Sequence, residues 1–376
     1  MSKITIQTVI DALNDVLLQE ILNLWNLVEH QVALHPQNEE HQNIIYIVSK
    51  NEKEYVLRLS FREERTMELL SAEAHFVEYL HSEKVSVARP IKSKNGSFVE
   101  KVNFNNLFLY GVLFTKVKGF SFTEDKSKNK KGIPLYEYIY CYGKTMGSLH
   151  KLTAQYNPIN RLTMRPDFIK VYETDLISRY LPDDLPLIKA KFLTLLNEAK
   201  KLPKDVKCYG LIHTDLNDDN IKINDETGNL TLLDFDDSAY CWFMYDLANA
   251  WTQGMKWIIS LDSIEKRKAK MNEWFEKVLG GYATEHTLSK YWLSKLEFFL
   301  KLVEMREFVS IFQELAINNL EITYDERLAY KIECIEKDIP YFGFFHEIYD
   351  PENPFCLNLS EETVGVGLAP TSVNDE

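Results

Sequence analysis

The segment 208–237 constrains the fold of this chain more than any other, because it places polar residues at the ends of short apolar stretches. Its apolar and turn-forming residues predict a strand, a loop, a second strand, a turn and a third strand. The loop sequence HTDLNDDN has the form H-x-D-x-x-x-x-N and contains His213, Asp215 and Asn220. The third strand ends in Asp234-Phe235-Asp236. Polar loop residues that merely satisfy turns are the less favoured explanation for two such patterns.

The spacing of these residues suits phosphoryl transfer from ATP to a hydroxyl group. That reaction needs a carboxylate beside the hydroxyl proton and oxygen ligands for Mg²⁺. Asp215 lies five residues before Asn220, so one loop can present a base and a metal ligand on the same side. Asp234 comes from the neighbouring strand and adds an anionic ligand, and Mg²⁺ needs only one or two protein oxygens besides water and phosphate. The segment therefore predicts a site for ATP and Mg²⁺.

On these motifs the sequence resembles the aminoglycoside phosphotransferase and choline kinase family of the protein-kinase-like superfamily, from about residue 40 to about residue 310. The D-F-D sequence fits this family better than the D-F-G of protein kinases. The resemblance implies that Asp215 is the catalytic base and that Asn220 and Asp234 are Mg²⁺ ligands. It also implies three supporting residues, which are His213, Asp236 and the helix-borne Asp246.

The first third of the chain supplies a candidate nucleotide-binding pair. Residues 44–59 predict a β-hairpin, and Arg58 on its second strand resembles the strand-borne cation that contacts the α- and β-phosphates in this family. Arginine forms bidentate contacts with phosphate. Glu73, on the predicted helix 66–83, is the candidate partner of Arg58, and Glu68 and Glu78 are alternatives.

Two features depart from the family pattern. The first predicted hairpin carries no glycine-rich G-x-G-x-x-G sequence over the phosphates. In addition, Asn217-Asp218-Asp219 stands where relatives often have His-Pro-Gly. Asp218 and Asp219 either attract a cationic acceptor or face solvent, and solvent is the preferred interpretation.

The order of predicted elements gives the fold class: α+β, with a bilobal protein-kinase-like fold that has a small β-rich N-terminal lobe and a larger, mostly helical C-terminal lobe. Residues 9–34 predict a helix, and Asn95-Gly96 predicts the turn of a second hairpin. The later predicted helices span 134–152, 166–180, 185–201, 246–259, 262–282, 287–317 and 325–338. The predicted parts are a nucleotide-binding lobe at 1–117, a catalytic and substrate lobe at 118–350, and a flexible tail at 351–376.

Composition excludes several classes of protein. The chain has 43 Lys and Arg against 56 Asp and Glu, a net charge of −13, which argues against nucleic acid as a partner. No stretch of about 18 apolar residues occurs, so no membrane span is expected. The five cysteines are scattered and form no C-x-x-C pair, which predicts reduced thiols in a cytoplasmic protein.

The sequence thus predicts an enzyme that uses ATP and Mg²⁺ to phosphorylate a hydroxyl group of an aminoglycoside-, choline- or homoserine-like small molecule. The surplus of acidic residues mildly favours a cationic acceptor, and the oligomeric state stays open. The alternatives are a protein serine/threonine kinase, a catalytically silent ATP-binding protein and, least favoured, a helical structural protein. Asp246 follows Asp237 by only nine positions in the chain, which is short for a peptide-docking loop and favours a small acceptor.

Overall fold

The computed structural model describes residues 6–35, 43–62, 64–104, 107–121, 135–158, 164–224, 227–258, 260–287 and 289–345. The predicted tail at 351–376 lies outside the described residues. Within the described part, none of the helices is both long enough and apolar enough to span a lipid bilayer.

The N-terminal region is built on an antiparallel sheet, with its strands in the order β1-β2-β3-β6-β4 and with β5 also paired to β6. The strands are β1 (Gln31–Leu34), β2 (Ile44–Lys50), β3 (Lys53–Ser60), β4 (Pro90–Ile91), β5 (Val99–Phe104) and β6 (Leu107–Thr115). Three helices accompany the sheet: α1 (Ile6–Ala12), α2 (Asp15–Asn23) and α3 (Met67–Ser82). One apolar core joins α1 and α2 to the sheet, and a second lies between α3 and β5–β6.

The prediction of one helix over residues 9–34 was wrong. Asn14 caps α2 by accepting a hydrogen bond from the backbone N–H of Leu17 at 2.9 Å, so a new helix starts there. Left-handed backbone at Asn26 (φ 58°) and Glu29 (φ 67°) then ends the helical path, and the chain continues as edge strand β1. Helical spacing of the leucines concealed these breaks because apolar residues continue on both sides of them.

The second predicted hairpin is only half right. The turn forms: Gly96 adopts a φ of +78°, and the Ser93 N–H bonds to the Ser97 carbonyl oxygen at 2.7 Å. However, β4 and β5 each pair with β6 and not with one another. The long apolar strand β6 offers both of them a partner, and this long-range pairing prevails over the local one.

The remainder of the chain is mostly helical, as predicted. Its helices are α4 (Leu135–Thr153), α5 (Phe168–Val171), α6 (Ile177–Tyr180), α7 (Pro186–Ala199), α8 (Phe243–Ile258), α9 (Ile264–Tyr282), α10 (Lys290–Leu293), α11 (Leu296–Ile317) and α12 (Glu326–Glu336). A π-helical turn (Tyr172–Leu176) joins α5 to α6, and short 3-10 turns occur at Asp218–Asn220 and Pro340–Gly343. A helix boundary interrupts the predicted helix 287–317 between α10 and α11.

Two small antiparallel sheets form within this helical part. Strands β7 (Tyr209–Ile212) and β10 (Ala239–Trp242) make one, and β8 (Ile221–Ile223) and β9 (Leu230–Leu232) make the other. Leu232 also bonds through its backbone to Ser86 and Ala88, at 2.9 and 3.0 Å, in the connection between α3 and β4. The predicted strand–loop–strand segment is therefore fastened directly beneath the N-terminal sheet.

Helices α4 and α9 cross at very close range because glycines face the crossing. A Cβ atom on Gly143 would lie 1.8 Å from the carbonyl oxygen of Val278, and one on Gly281 would lie 1.9 Å from the carbonyl oxygen of Tyr140. This contact fixes His150, near the end of α4, against Tyr282 at the end of α9.

Candidate active site

The loop after β7 is held in an uncommon backbone conformation by a buried carboxylate. Thr214 has a φ of +66°, a left-handed conformation that is costly for a β-branched residue. Asp246 on α8 is fully buried and accepts hydrogen bonds from the backbone N–H groups of His213 (3.1 Å) and Thr214 (2.9 Å). His150 contacts the same carboxylate through Nε2 at 3.2 Å. These bonds fix the backbone immediately before Asp215.

Asp215 and Asn220 lie together at the two ends of this loop. The amide nitrogen of Asn220 donates to the Asp215 carbonyl oxygen at 2.8 Å and to its Oδ2 at 3.3 Å. Asn217 caps the intervening 3-10 turn by accepting from the Asp219 N–H at 2.9 Å, and it donates to Asp215 Oδ1 at 3.2 Å. The asparagines therefore orient the Asp215 carboxylate, while the amide oxygen of Asn220 points away from the atoms that its nitrogen contacts.

The strand that delivers Asp234 runs alongside the loop. The Leu233 N–H bonds to the Asn220 carbonyl oxygen at 2.9 Å, and His213 Nε2 contacts the Leu233 carbonyl oxygen at 2.8 Å. Asp234 then adopts a φ of +50°, and 53 % of its side chain is exposed. Although half of the side chain is exposed, partial desolvation by the surrounding protein and the neighbouring Asp236 carboxylate raise the pKa of Asp234 to about 7, against the opposing effect of Arg58.

Arg58 and Glu73 form a buried bidentate ion pair under the N-terminal sheet. Arg58 donates from Nη1 to Glu73 Oε1 at 2.9 Å and from Nη2 to Glu73 Oε2 at 2.5 Å. Arg58 Nη1 also lies 3.5 Å from Asp234 Oδ1. Burial alone would lower the pKa of Arg58, but the carboxylates of Glu73, Asp236 and Asp234 raise it. Neither alternative partner applies, because Glu78 pairs with Arg89 and Glu68 is exposed.

Asp236 and Asp237 connect the two parts of the molecule. Arg65, just before α3, contacts Asp236 Oδ2 at 3.1 Å and Asp237 Oδ1 at 2.9 Å. Asn43, just before β2, donates to Asp236 Oδ2 at 3.1 Å and accepts from the Ser60 hydroxyl at 2.6 Å. Burial raises the pKa of Asp237, but its two arginine partners, Arg65 and Arg306, hold it well below its usual range.

Arg165 completes this connection from below. Its guanidinium donates to three backbone carbonyl oxygens: that of Leu69 on α3 at 3.0 Å, that of Asp236 at 2.5 Å and that of Ser238 at 2.7 Å. The side chain is buried, and burial lowers its pKa from the ordinary arginine value.

Arg306, near the middle of α11, reaches the catalytic loop from the other side. Its Nη1 lies 3.0 Å from Asp215 Oδ1, and its Nη2 lies 2.9 Å from Asp237 Oδ2. None of Arg306, Arg65 and Arg165 was predicted to belong to the site. No local signal marks these arginines, because each lies far along the chain from the carboxylates or carbonyl groups that it contacts.

The interpretation of Asp218 as a solvent-facing residue was wrong. Its side chain is 5 % exposed, and Oδ2 lies 3.2 Å from Nζ of Lys256 on α8. Asp219, in contrast, is exposed. Adjacent side chains of the 3-10 turn point in different directions, so the turn buries Asp218 and leaves Asp219 exposed. Lys256 compensates the charge of the buried Asp218.

The donor set suits a hard divalent cation that keeps some of its water. Asp234 offers a half-exposed carboxylate, and Asn220 offers the amide oxygen that its own hydrogen bonds leave available. Both ligand types are oxygen donors of the kind that Mg²⁺ prefers. Asp236 adds an Oδ1 atom that is buried without a hydrogen-bond partner among the described residues.

The fold that carries this site is similar to the folds of two solved kinases. An amicoumacin kinase structure, solved with AMP-PNP, Ca²⁺ and Ami, matches with a TM-score of 0.75 and 22 % identity, and covers 89 % of this chain and 97 % of that one. A microcompartment-associated aminopropanol kinase matches with a TM-score of 0.63 and 18 % identity, and this match covers 86 % of this chain and 94 % of that one. These similarities confirm the predicted protein-kinase-like fold.

The sequence comparisons then give the family. The profile of the phosphotransferase enzyme family, APH, matches residues 35–274. The amicoumacin kinase of Bacillus subtilis (strain 168) is 28 % identical over 307 residues, which are 81 % of this chain and 87 % of that protein. The chain belongs to the phosphotransferase enzyme family. The predicted family resemblance and the predicted class of enzyme, a phosphotransferase that acts on an alcohol group, are confirmed.

Proposed function

We propose that this protein phosphorylates a hydroxyl group of a small molecule, with ATP as donor and Mg²⁺ as the metal, and that the amicoumacin class is the first acceptor to test. One observation carries the assignment. The segments that contain Asp215 and Asp234 are joined by the hydrogen bond from the Leu233 N–H to the Asn220 carbonyl oxygen, and Arg58 lies beside Asp234. Family membership supports the donor and the metal. A structure of an amicoumacin kinase with AMP-PNP and Ca²⁺ supports them as well.

In this proposal each residue has one task. Asp215 accepts the proton of the acceptor hydroxyl as the oxygen attacks the γ-phosphorus, the new O–P bond forms, and the bond from the γ-phosphorus to the bridging oxygen breaks to leave ADP. Arg58, held by Glu73, contacts the phosphates through donors that the carboxylate leaves free. Asn220 and Asp234 hold Mg²⁺, which neutralises charge on the phosphate oxygens when bound. His213, Asp236 and Asp246 position these groups.

The residues around Asp237 favour a small acceptor over a protein. Strand β10 starts at Ala239 and α8 at Phe243, so regular structure follows the D-F-D sequence almost directly. That leaves little chain for a segment that would bind a peptide. The cytoplasm is the proposed location, in line with Cys141, Cys208, Cys241 and Cys334, which are free.

The test is ATP consumption with a panel of amicoumacin, 1-amino-2-propanol, choline and a protein serine substrate, each with Mg²⁺ and with a chelator. We expect Mg²⁺-dependent turnover of one of the small molecules. Asp215→Asn should lower kcat by about 10²–10⁴-fold, the usual contribution of a general base, and leave Mg·ATP affinity within a few-fold. Asp219→Asn, a matched change at an exposed aspartate of the same loop, should leave kcat nearly unchanged.

Each alternative has its own outcome in this assay. Phosphorylation of the protein substrate alone would support a protein kinase. Mg·ATP binding without transfer to any acceptor would support a silent nucleotide-binding protein. Undiminished turnover by Asp215→Asn would contradict the assignment of the base.

A further inference from the structure

Arg306 touches the proposed base at the place where an acceptor hydroxyl has to bind. A general base must lie within about 2.6–3.2 Å of the oxygen whose proton it accepts. Asp215 Oδ1 already receives Arg306 Nη1 at 3.0 Å and Asn217 Nδ2 at 3.2 Å, and Oδ2 receives Asn220 Nδ2 at 3.3 Å. A hydroxyl that bonds to either carboxylate oxygen therefore lies beside the guanidinium.

The guanidinium is anchored at this position. Its second terminal nitrogen lies 2.9 Å from Asp237 Oδ2, and Asp237 Oδ1 is in turn held by Arg65 at 2.9 Å. Arg65 also contacts Asp236. A movement of Arg306 away from the acceptor would break its ion pairs with both Asp215 and Asp237, and such a loss of partly buried ion pairs is costly. The arginine therefore stays in place while the acceptor binds.

The chemistry of a fixed guanidinium restricts its neighbours. Arginine has five N–H donors, no acceptor and a permanent positive charge. Two of these donors serve Asp215 and Asp237, and 18 % of the side chain remains exposed. The atom of the acceptor that comes next to them has to accept hydrogen bonds, and an ammonium group there would be repelled.

On the proposed function, we infer that Arg306 determines acceptor specificity. The class it selects has a carbonyl or carboxylate oxygen on the carbon next to the phosphorylated hydroxyl, as in a 2-hydroxy amide or a 2-hydroxy acid. An ammonium group on that carbon is disfavoured. This narrows the expectation of a cationic acceptor, because any cationic group has to lie farther from the hydroxyl.

Two probes with the same carbon skeleton test this inference: lactamide, a 2-hydroxy amide, and 1-amino-2-propanol, the corresponding 2-hydroxy amine. Their binding is measured by ligand-observed NMR on the full chain with Mg²⁺ and AMP-PNP. We expect the native protein to bind lactamide at least about tenfold more tightly, a modest gain for one charge-assisted hydrogen bond. Arg306→Met should abolish the preference.

Two further variants make the test independent of folding. Arg306→Lys keeps the positive charge but loses the planar guanidinium with its two terminal nitrogens, so we expect the preference for lactamide to fall without reversing. Arg179→Met, at a surface arginine that pairs with Asp175, should keep the native preference. A native preference for the amine, or a preference that survives Arg306→Met or is undiminished in Arg306→Lys, would overturn the inference. Because the readout is binding, failure of the panel to be phosphorylated counts separately, against the proposed function.

Discussion

The crossing of α4 and α9 allows a sharp test with two adjacent glycines. A Cβ atom on Gly281 would lie 1.9 Å from the carbonyl oxygen of Tyr140 and 2.8 Å from the backbone nitrogen of Lys144. Among the described residues, a Cβ atom on Gly280 would meet only the Tyr140 ring, at 3.9 Å, which is ordinary contact. Gly281→Ala and Gly280→Ala therefore add the same methyl group to the same helix with opposite consequences.

The expected loss of stability in Gly281→Ala follows from the distance between the added Cβ atom and the Tyr140 carbonyl oxygen. An unstrained carbon–oxygen contact is about 3.3 Å, so the helices must separate by about 1.4 Å to admit the Gly281→Ala methyl group. Overpacking of a core costs about 1–3 kcal/mol, and we expect the upper value of about 3 kcal/mol because the obstructing atom belongs to the backbone. Gly280→Ala should instead stabilise the protein by about 0.5–1 kcal/mol, because alanine is the better helix former.

Thermal unfolding measures both effects. At about 2–4 °C per kcal/mol for a unit of this size, we expect Tm to fall by about 6–12 °C for Gly281→Ala and to rise slightly for Gly280→Ala. Turnover should fall for Gly281→Ala as well, because separation of the helices weakens the contact between His150 and Tyr282, and His150 supports Asp246. Equal Tm values for the two variants would refute the reasoning.

Three other substitutions address the site and its supports. The two carboxylate oxygens of Asp246 each accept from one backbone N–H, and Asp246→Asn replaces one of these oxygens by an NH2 group that cannot accept. We therefore expect kcat to fall about 10–100-fold with little change in KM for Mg·ATP, and an unchanged kcat would contradict the positioning role of Asp246. Glu73→Gln should raise KM for Mg·ATP about tenfold, because it weakens the buried bidentate ion pair with Arg58. Glu68→Gln, at an exposed residue, should leave this KM unchanged. Equal effects of the two variants would contradict a role of the Arg58–Glu73 pair in ATP binding. Burial lowers the pKa of His286 to about 4, so as the pH falls the unfolded state binds the proton before the folded state does. The free energy of unfolding should therefore fall by about 2 kcal/mol from pH 6.5 to pH 4. In His286→Gln the dependence of Tm on pH should be flatter over this range, and an unchanged slope would contradict the effect.

Much of the fold was predictable because its signals are local. Apolar periodicity predicted α3 as residues 66–83, and the structure has it at Met67–Ser82. The strand–loop–strand segment was predictable for the same reason, since its turns and apolar stretches are short. Arg58 and Glu73 lie on adjacent elements, β3 and α3, so the resemblance to the family was sufficient to propose their pairing.

The contacts that the sequence concealed are those between distant segments. Arg306 follows Asp215 by 91 residues and lies on a helix whose apolar stripe predicts only core packing. Asp218 is buried because Lys256, on a helix formed by a later segment, compensates it. Strand β1 is likewise defined by its partner β2 and not by its own residues. In each case the local sequence is compatible with several conformations or environments of the residue, and contacts with distant segments determine which one forms.

The charge of the site shows what these contacts contribute. Six aspartates fall within 23 residues, at 215, 218, 219, 234, 236 and 237. The structure pairs five of them with Arg58, Arg65, Lys256 and Arg306. The weakest of these pairs is that of Asp234, with 3.5 Å to Arg58 and 53 % exposure. Because the other four are compensated at closer range, Asp234 has the least compensated carboxylate of the five, which supports the proposal that it binds Mg²⁺. The overall acidity of the chain therefore says little about which acceptor it binds.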